Sequence, residues 1–211
     1  MGKIRIYLSD SVRKKKFSHT ALALLSSSAV LRKEKDLREI LSFLKENKYS
    51  GRKIYEALLQ TYLFAGFPSA LISLSVYSEY FNTGSNWKEN KSLKTLRKRG
   101  EANCREIYGD KYEKLICNIY AYSPELSDWL VTEGYGKVLG RDGLSLIERE
   151  VCNIAVLTAL KFESQLYSHI NGGHRSGLHF TEIEEIIESL TLLNKNDCVK
   201  FGRRVLKNFI Q

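Results

Sequence analysis

The chain contains very little proline. Only Pro68 and Pro124 occur in 211 residues, against 43% hydrophobic and 27% charged residues. Because proline interrupts helices, its scarcity in a Leu-, Glu-, Lys- and Ile-rich sequence favours a mostly helical protein. A chain of this length can bury a substantial core as one medium domain or two small ones.

Closely spaced cysteines and long apolar runs are also missing. The four cysteines, Cys104, Cys117, Cys152 and Cys198, form no CxxC pair, so the signatures of a zinc ribbon and of a dithiol redox site are absent. No apolar run approaches the roughly 20 residues that span a bilayer, and the N-terminus lacks the layout of a signal peptide. We expect a cytoplasmic protein with no membrane partner.

Positive charge is in excess, with a formal net charge of +9. Two short runs carry much of it, "RKKK" at 13–16 and "KTLRKRG" at 94–100. Neither is interleaved with aromatic residues as in nucleic-acid-binding motifs. The pattern favours a solvated basic surface over nucleic acid as a partner, although it could also attract small anionic substrates.

Apolar residues recur at helical spacing almost throughout, which predicts an all-α fold. The clearest stripe consists of Ile183, Ile186, Ile187 and Leu190. Thr181 and Glu184 fit a capping box in front of a helix over 182–193.

A linker is predicted where polar residues and glycine cluster, in "NTGSNWKENK" at 82–91. It divides the chain into an N-terminal helical part (1–81), a linker (82–92) and a C-terminal domain (93–211).

The two parts contain a degenerate internal repeat. "LRKEKDLREIL" (31–41) aligns without a gap on "LKFESQLYSHI" (160–170). In this register Ile40 occupies the place of His169, and Ala21 occupies the place of Glu150. Chemistry that depends on these two polar residues is therefore possible in the second copy alone.

Glu150 and His169 are the candidates for acid–base chemistry, with Arg149 and Arg141 as candidate anion contacts. On one continuous helix the first two would lie about 28 Å apart along the axis, so they meet only if the chain turns back, plausibly at 161–164. A carboxylate that holds an imidazole fixes its tautomer and suits it to proton transfer.

Gly172 and Gly173 follow His169 on the same helix face, where they could leave room for a ligand. The alternative is that His169 is an ordinary core histidine and the glycines allow tight helix packing. Spacing alone leaves both interpretations open. His169, His174 and His179 do not share a helix face, so no metal site is predicted.

An ordered set of motifs extends over residues 93–211. These are "RG" (99–100), "YGD" (108–110), "YGKVLGRDGLSLIERE" (135–150), "SHINGGHRSG" (168–177) and "TEIEEI" (181–186). Together they resemble the carboxymuconolactone decarboxylases within the alkylhydroperoxidase D-like superfamily. The front half resembles that family only in "KIYEALLQTYLFAGFPSAL" (53–71).

The resemblance implies a helical bundle of the alkylhydroperoxidase D-like type that assembles as a homo-oligomer, a trimer or a hexamer. The peroxidase branch of the superfamily would have a CxxC motif at 162 and 165, where this chain has Phe162 and Gln165. Without a peroxidatic thiol, peroxide reduction loses its nucleophile. The decarboxylase branch uses no such cysteines.

The resemblance therefore implies a cofactor-free acid–base enzyme, of the carboxymuconolactone decarboxylase type, for a small carboxylated lactone or carbonyl compound. His169 would transfer the proton and Glu150 would orient it, Arg149 or Arg141 would hold a substrate carboxylate, and Gly172 and Gly173 would border the substrate. The alternatives are a non-catalytic helical oligomer that binds a small ligand or partner and, with less support, an alkylhydroperoxidase-type antioxidant enzyme. Gly173, His174 and His179 depart from the family pattern around the presumed pocket.

Overall fold

A computed structural model describes residues 2–13, 17–82, 84 and 87–211, and the regular structure in these residues is helical. The predicted all-α class is confirmed. The α-helices are α1 (Lys3–Arg13), α2 (Phe17–Val30), α3 (Glu34–Glu46), α4 (Gly51–Gln60), α5 (Tyr62–Ser78), α6 (Leu93–Tyr108), α7 (Tyr112–Tyr120), α8 (Pro124–Trp129), α9 (Leu146–Leu160), α10 (Glu163–Arg175), α11 (Phe180–Ser189) and α12 (Asn196–Ile210). A π-helix, Leu130–Val138, continues directly from α8, and short 3-10 turns occupy Gly109–Lys111 and Leu190–Leu193.

The helix bounds keep the register of the sequence repeat. In that register the first residues of α2, α3 and α4 align with the first residues of α9, α10 and α11, and the last two pairs of helices have equal lengths. The turns between the first two helices of each copy also match, because Arg32 and Lys161 both adopt the left-handed conformation (φ 55° and 60°). The repeat therefore extends over two copies of a three-helix unit, 17–60 and 146–189.

The centre of the molecule is the packing of α2 against α9. Every residue from 148 to 159 of α9 is buried, and so is every residue from 21 to 30 of α2. A helix that is buried on all sides needs neighbours all round it, and the two copies supply these neighbours to each other. The segments on either side of the predicted linker thus share one hydrophobic core.

A second, smaller core lies between α6, α7 and the π-helix, around Cys104, Ile107 and Tyr135. Two glycines allow the backbones of α6 and the π-helix to touch. A Cβ at Gly100 would lie 2.0 Å from the Val131 carbonyl oxygen, and one at Gly136 would lie 2.3 Å from that of Leu96. This contact places the π-helix beside α6.

The predicted linker lies between α5 and α6, and its residues 83, 85 and 86 lie outside the described residues, as do residues 14–16 of the first basic run. Part of the linker is packed rather than free. The Trp87 ring lies 5.5 Å from that of Tyr55, and its carbonyl accepts a 2.7 Å hydrogen bond from Arg141.

The predicted cap of the 182–193 helix is wrong by two residues. Helix α11 begins at Phe180, and the backbone N–H of His179 donates to the Glu182 carboxylate at 3.0 Å. Glu182 lies three residues after His179, and this spacing lets its carboxylate accept a hydrogen bond from the backbone N–H of the N-cap residue.

No single helix among the described residues has both the length and the apolarity to cross a bilayer; α4 and α5 reach those limits only as a pair bent by 120°.

Two polar contacts related by the repeat join the copies, with the carboxylate on opposite members. Lys53 binds Glu148, and at the equivalent positions Glu182 lies 3.5 Å from His19. Burial opposes ionisation of Glu148, but hydrogen bonds from Lys53 and from the Ser145 N–H outweigh it and hold the pKa of that carboxyl below its usual 4.5.

We expect Glu148→Gln to lower the free energy of unfolding at pH 7 by about 1.5–3 kcal/mol, the range for hydrogen bonds to charged groups. A depressed pKa in the folded state gives stability that is present above pH 4.5 and is lost as the pH falls. The variant should therefore lose less stability than the wild type between pH 7 and pH 4 in urea unfolding. Glu182→Gln, which removes the more exposed carboxylate of the repeat-related pair, is the control and should cost less at pH 7.

Candidate functional site

The turn between α9 and α10 brings Glu150 and His169 together. Lys161 turns the chain back with φ 60°, and α10 then runs against α9. The Glu150 carboxylate oxygen Oε2 lies 2.9 Å from His169 Nδ1. Both side chains are buried, Glu150 fully and His169 with 6% exposed.

Two amides that were not among the predicted site residues support the Glu150 carboxylate, one directly and the other through the first. Asn153 donates to Glu150 Oε1 at 3.0 Å, and Gln60 donates to Asn153 Oδ1 at 3.0 Å. Asn153 follows Glu150 by three residues in an otherwise apolar stretch of α9, and this lone polar residue on the same helix face was the available signal. Gln60 comes from α4 of the first copy, and nothing in its sequence context marks it.

The geometry selects one tautomer of His169. With its Nδ1 against a carboxylate, the imidazole keeps a proton on Nδ1 and presents Nε2 as the basic nitrogen. The Phe64 ring meets the imidazole edge to face at 6.2 Å. Within the described part of the chain, no side chain hydrogen-bonds Nε2.

His169 lines a cavity of 420 Å³ between the two cores. Helices α5 to α8, α10 and the π-helix all contribute to its wall. The lining residues are Leu63, Phe64, Tyr108, Ile119, Tyr122, Leu126, Trp129, Leu130, Glu133, Gly134, Tyr135, Leu139, Gln165 and His169. Its size falls within the range of about 300–1,000 Å³ that is typical of small-molecule sites.

Two tyrosines supply neutral hydroxyl groups to this wall. The Tyr108 and Tyr135 hydroxyls lie 2.8 Å apart, so that one donates to the other and a further hydroxyl hydrogen remains. Burial raises the pKa of both phenols well above 10, which keeps them protonated. They can therefore donate a hydrogen bond to a ligand oxygen.

The two predicted carboxylate-binding arginines point elsewhere. Arg149 is 1% exposed, and its guanidinium binds Glu56 at 3.0 Å and Gln60 at 2.9 Å. Arg141 forms a bidentate pair with the same Glu56 at 2.8–3.1 Å. Neither arginine lines the His169 cavity, because the fully buried Glu56 carboxylate needs both as partners.

Gly172 and Gly173 provide room for protein rather than for a ligand. A Cβ at Gly172 would lie 2.8 Å from Ile107 and 3.1 Å from the Glu150 carboxylate, and one at Gly173 would lie 3.0 Å from Leu178. Neither glycine lines the cavity. This placement favours the helix-packing interpretation of the two glycines over a substrate-bordering role.

The first copy has no equivalent pair, since Ile40 and Ala21 occupy the places of His169 and Glu150 in the core. The segment 1–81 nevertheless contributes to the site of the second copy. Gln60 donates a hydrogen bond to Asn153, and Leu63 and Phe64 form part of the cavity wall.

The thiols lie apart from this chemistry. Cys104, Cys152 and Cys198 are buried, and Cys117 is exposed. Burial raises the pKa of Cys104 and of Cys152 to about 12. In the described ranges, histidine, cysteine and carboxylate side chains form no group of three that could bind a metal ion.

The sequence matches no protein-family model and no curated protein.

Gly172→Ala should destabilise the protein by about 1–3 kcal/mol, the usual cost of overpacking a core, although alanine is otherwise the better helix former. The new methyl group would press on Ile107 and on the Glu150 carboxylate. Thermal or urea unfolding measures the change, with Asn171→Ala, on the neighbouring half-buried position, as the control. A variant as stable as the wild type would contradict the packing role.

Thiol titration of the folded protein at pH 8 should show rapid reaction of Cys117 and slow reaction of the other three cysteines until the chain unfolds. Cys117→Ser should remove the fast phase. Fast labelling of Cys152 would show instead that a thiol close to Glu150 is accessible.

Proposed function

We propose that this protein is an acid–base enzyme in which His169 transfers a proton through Nε2 and Glu150 orients it. The observation that carries the proposal is the buried Glu150–His169 pair at 2.9 Å, in the wall of a 420 Å³ cavity. General acid–base catalysis by a positioned side chain typically contributes about 10²–10⁴-fold to a rate.

The surroundings of the pair suit this role. When Nε2 takes a proton, the Glu150 carboxylate stabilises the resulting imidazolium, and Asn153 holds the carboxylate in place. The Tyr108 and Tyr135 hydroxyls line the same cavity and can donate to an oxygen that becomes negative during the reaction. These groups suffice for proton transfer next to a carbonyl.

The resemblance to the carboxymuconolactone decarboxylases supports the same assignment, because His169 and Glu150 occupy the positions that its motifs mark. The peroxidase alternative has less support. Phe162 and Gln165 stand at the positions of the redox cysteines, and the nearby Cys152 is buried with a raised pKa. Four free thiols accord with a cytoplasmic location.

A homo-oligomer that binds a ligand without turning it over is the second candidate. Large apolar side chains are exposed beside the cavity, among them Tyr122, Leu126 and Trp129 on α8 and its approach, and Phe67 and Leu71 on α5. Exposed apolar groups that cluster in this way are typical of subunit interfaces. This surface supports assembly into a trimer or hexamer for either candidate.

His169→Asn should abolish proton transfer while the fold and oligomer persist. The measurement is exchange of the α-protons of 4-phenyl-2-butanone in D₂O, followed by NMR. Glu150→Gln should slow the exchange by about 10²–10⁴-fold because the imidazolium loses its counter-ion.

The matched control is His179→Asn, at an exposed position in front of α11 where asparagine is a good N-cap residue. It should exchange at the wild-type rate. An unchanged rate in His169→Asn would refute the catalytic assignment, and absence of exchange by the wild type would favour the ligand-binding candidate.

A further inference from the structure

The charge of the cavity wall determines what kind of ligand it accepts. Among the described residues, no lysine or arginine lines the His169 cavity, and Glu133 is an acidic residue of its wall. Burial opposes ionisation of Glu133, but hydrogen bonds from Tyr62 and Lys137 prevail and hold its pKa below 4.5. Glu150 adds a second carboxylate behind His169.

The nearest cations already have partners. Lys137 lies 3.2 Å from Glu133, and Arg141 and Arg149 both bind the fully buried Glu56. Release of Arg141 or Arg149 to hold a ligand would leave the buried Glu56 carboxylate short of a partner, which is strongly unfavourable. Lys137 lines a neighbouring cavity and not the His169 cavity. An anionic ligand would therefore find no lysine or arginine to pair with among the described residues of the cavity wall.

The shape and surface of the wall favour a ring. Phe64, Tyr122 and Trp129 present aromatic faces or edges, and leucine and isoleucine side chains fill the spaces between them. Aromatic walls bind flat apolar rings well. Apart from Glu133, the polar side chains of the wall are those of His169, Gln165 and the tyrosines, which suits one hydrogen-bonding function on an otherwise apolar ligand.

We infer that the His169 cavity binds an uncharged ring compound with one carbonyl group, and not a carboxylate. The inference rests on the proposed acid–base function and narrows its substrate class. It also changes the class of reaction, because a substrate without a carboxylate cannot be decarboxylated. The reaction that remains is proton transfer within one molecule, an isomerisation through an enolate.

The step balances without a co-reactant. His169 Nε2 takes a proton from the carbon next to the carbonyl, the C–H electron pair forms the new C=C bond, and the C=O π pair moves onto the carbonyl oxygen. A tyrosine hydroxyl donates a hydrogen bond to that oxygen. The pair then moves back and the imidazolium returns the proton to the same or to a conjugated carbon, so that nothing is oxidised and no group leaves.

The test compares two probes of similar size, 4-phenyl-2-butanone and 3-phenylpropanoate, by isothermal titration calorimetry at pH 7.5. We expect the neutral ketone to bind at least about tenfold more tightly than the carboxylate. Equal or tighter binding of the carboxylate would overturn the inference, and so would failure of both probes to bind.

A matched pair of variants at the cavity rim tests the physical cause. Gln165 lines the cavity and is exposed, so substitution there should not disturb the core. Gln165→Lys should raise the affinity for 3-phenylpropanoate by about tenfold by supplying the missing cation, and Gln165→Met should not. An unchanged preference in Gln165→Lys would show that charge does not select the ligand.

The two proposals fail in different ways. The calorimetry is repeated on His169→Asn, in which binding no longer depends on turnover. A ketone preference in the wild type and in this variant, without α-proton exchange by the wild type, supports the ligand class and refutes the acid–base function. Exchange by the wild type without a ketone preference supports the function and overturns the ligand class.

Discussion

The burial of the Glu150 carboxylate is the constraint on which the site depends. A carboxylate without solvent contact must be paired and hydrogen-bonded to remain charged. Glu150 obtains these partners from His169 and Asn153. Asn153 is buried as well and needs a partner of its own. Gln60 donates a hydrogen bond to Asn153 and accepts one from Arg149. One chain of buried polar contacts thus joins the Glu150–His169 pair to the first copy of the repeat.

The repeat explains how a copy without a site can still matter. Helices α2 and α9 are each buried on all sides, so each copy completes the core of the other. The first copy lacks the polar pair and has Ile40 and Ala21 in the core at those positions. The N-terminal segment instead supports the second copy, to which α4 contributes Gln60 and α5 contributes Phe64.

The buried charges also explain the polarity of the cavity. Glu56 is fully buried and binds the guanidinium groups of Arg141 and Arg149. Both arginines are thereby engaged with Glu56 and do not line the cavity. Its wall consists mainly of aromatic and other apolar side chains, together with tyrosine hydroxyls and Glu133. The Glu150–His169 pair, which the motifs mark, and the charged groups outside the cavity are thus separate features of the structure.

Sequence alone determined the all-α class, the register of the internal repeat and the turn at 161–164, because helical periodicity and chain reversal are local properties. It also marked Glu150 and His169, whose side chains meet across that turn. Only the tertiary structure decided the roles of Arg149, Arg141, Gly172 and Gly173. Their partners are far away in the chain, as Glu56 is for the arginines and Ile107 is for Gly172. Which charges are neutralised, and which glycines pack against a neighbour, depends on contacts that exist only once both copies have folded together.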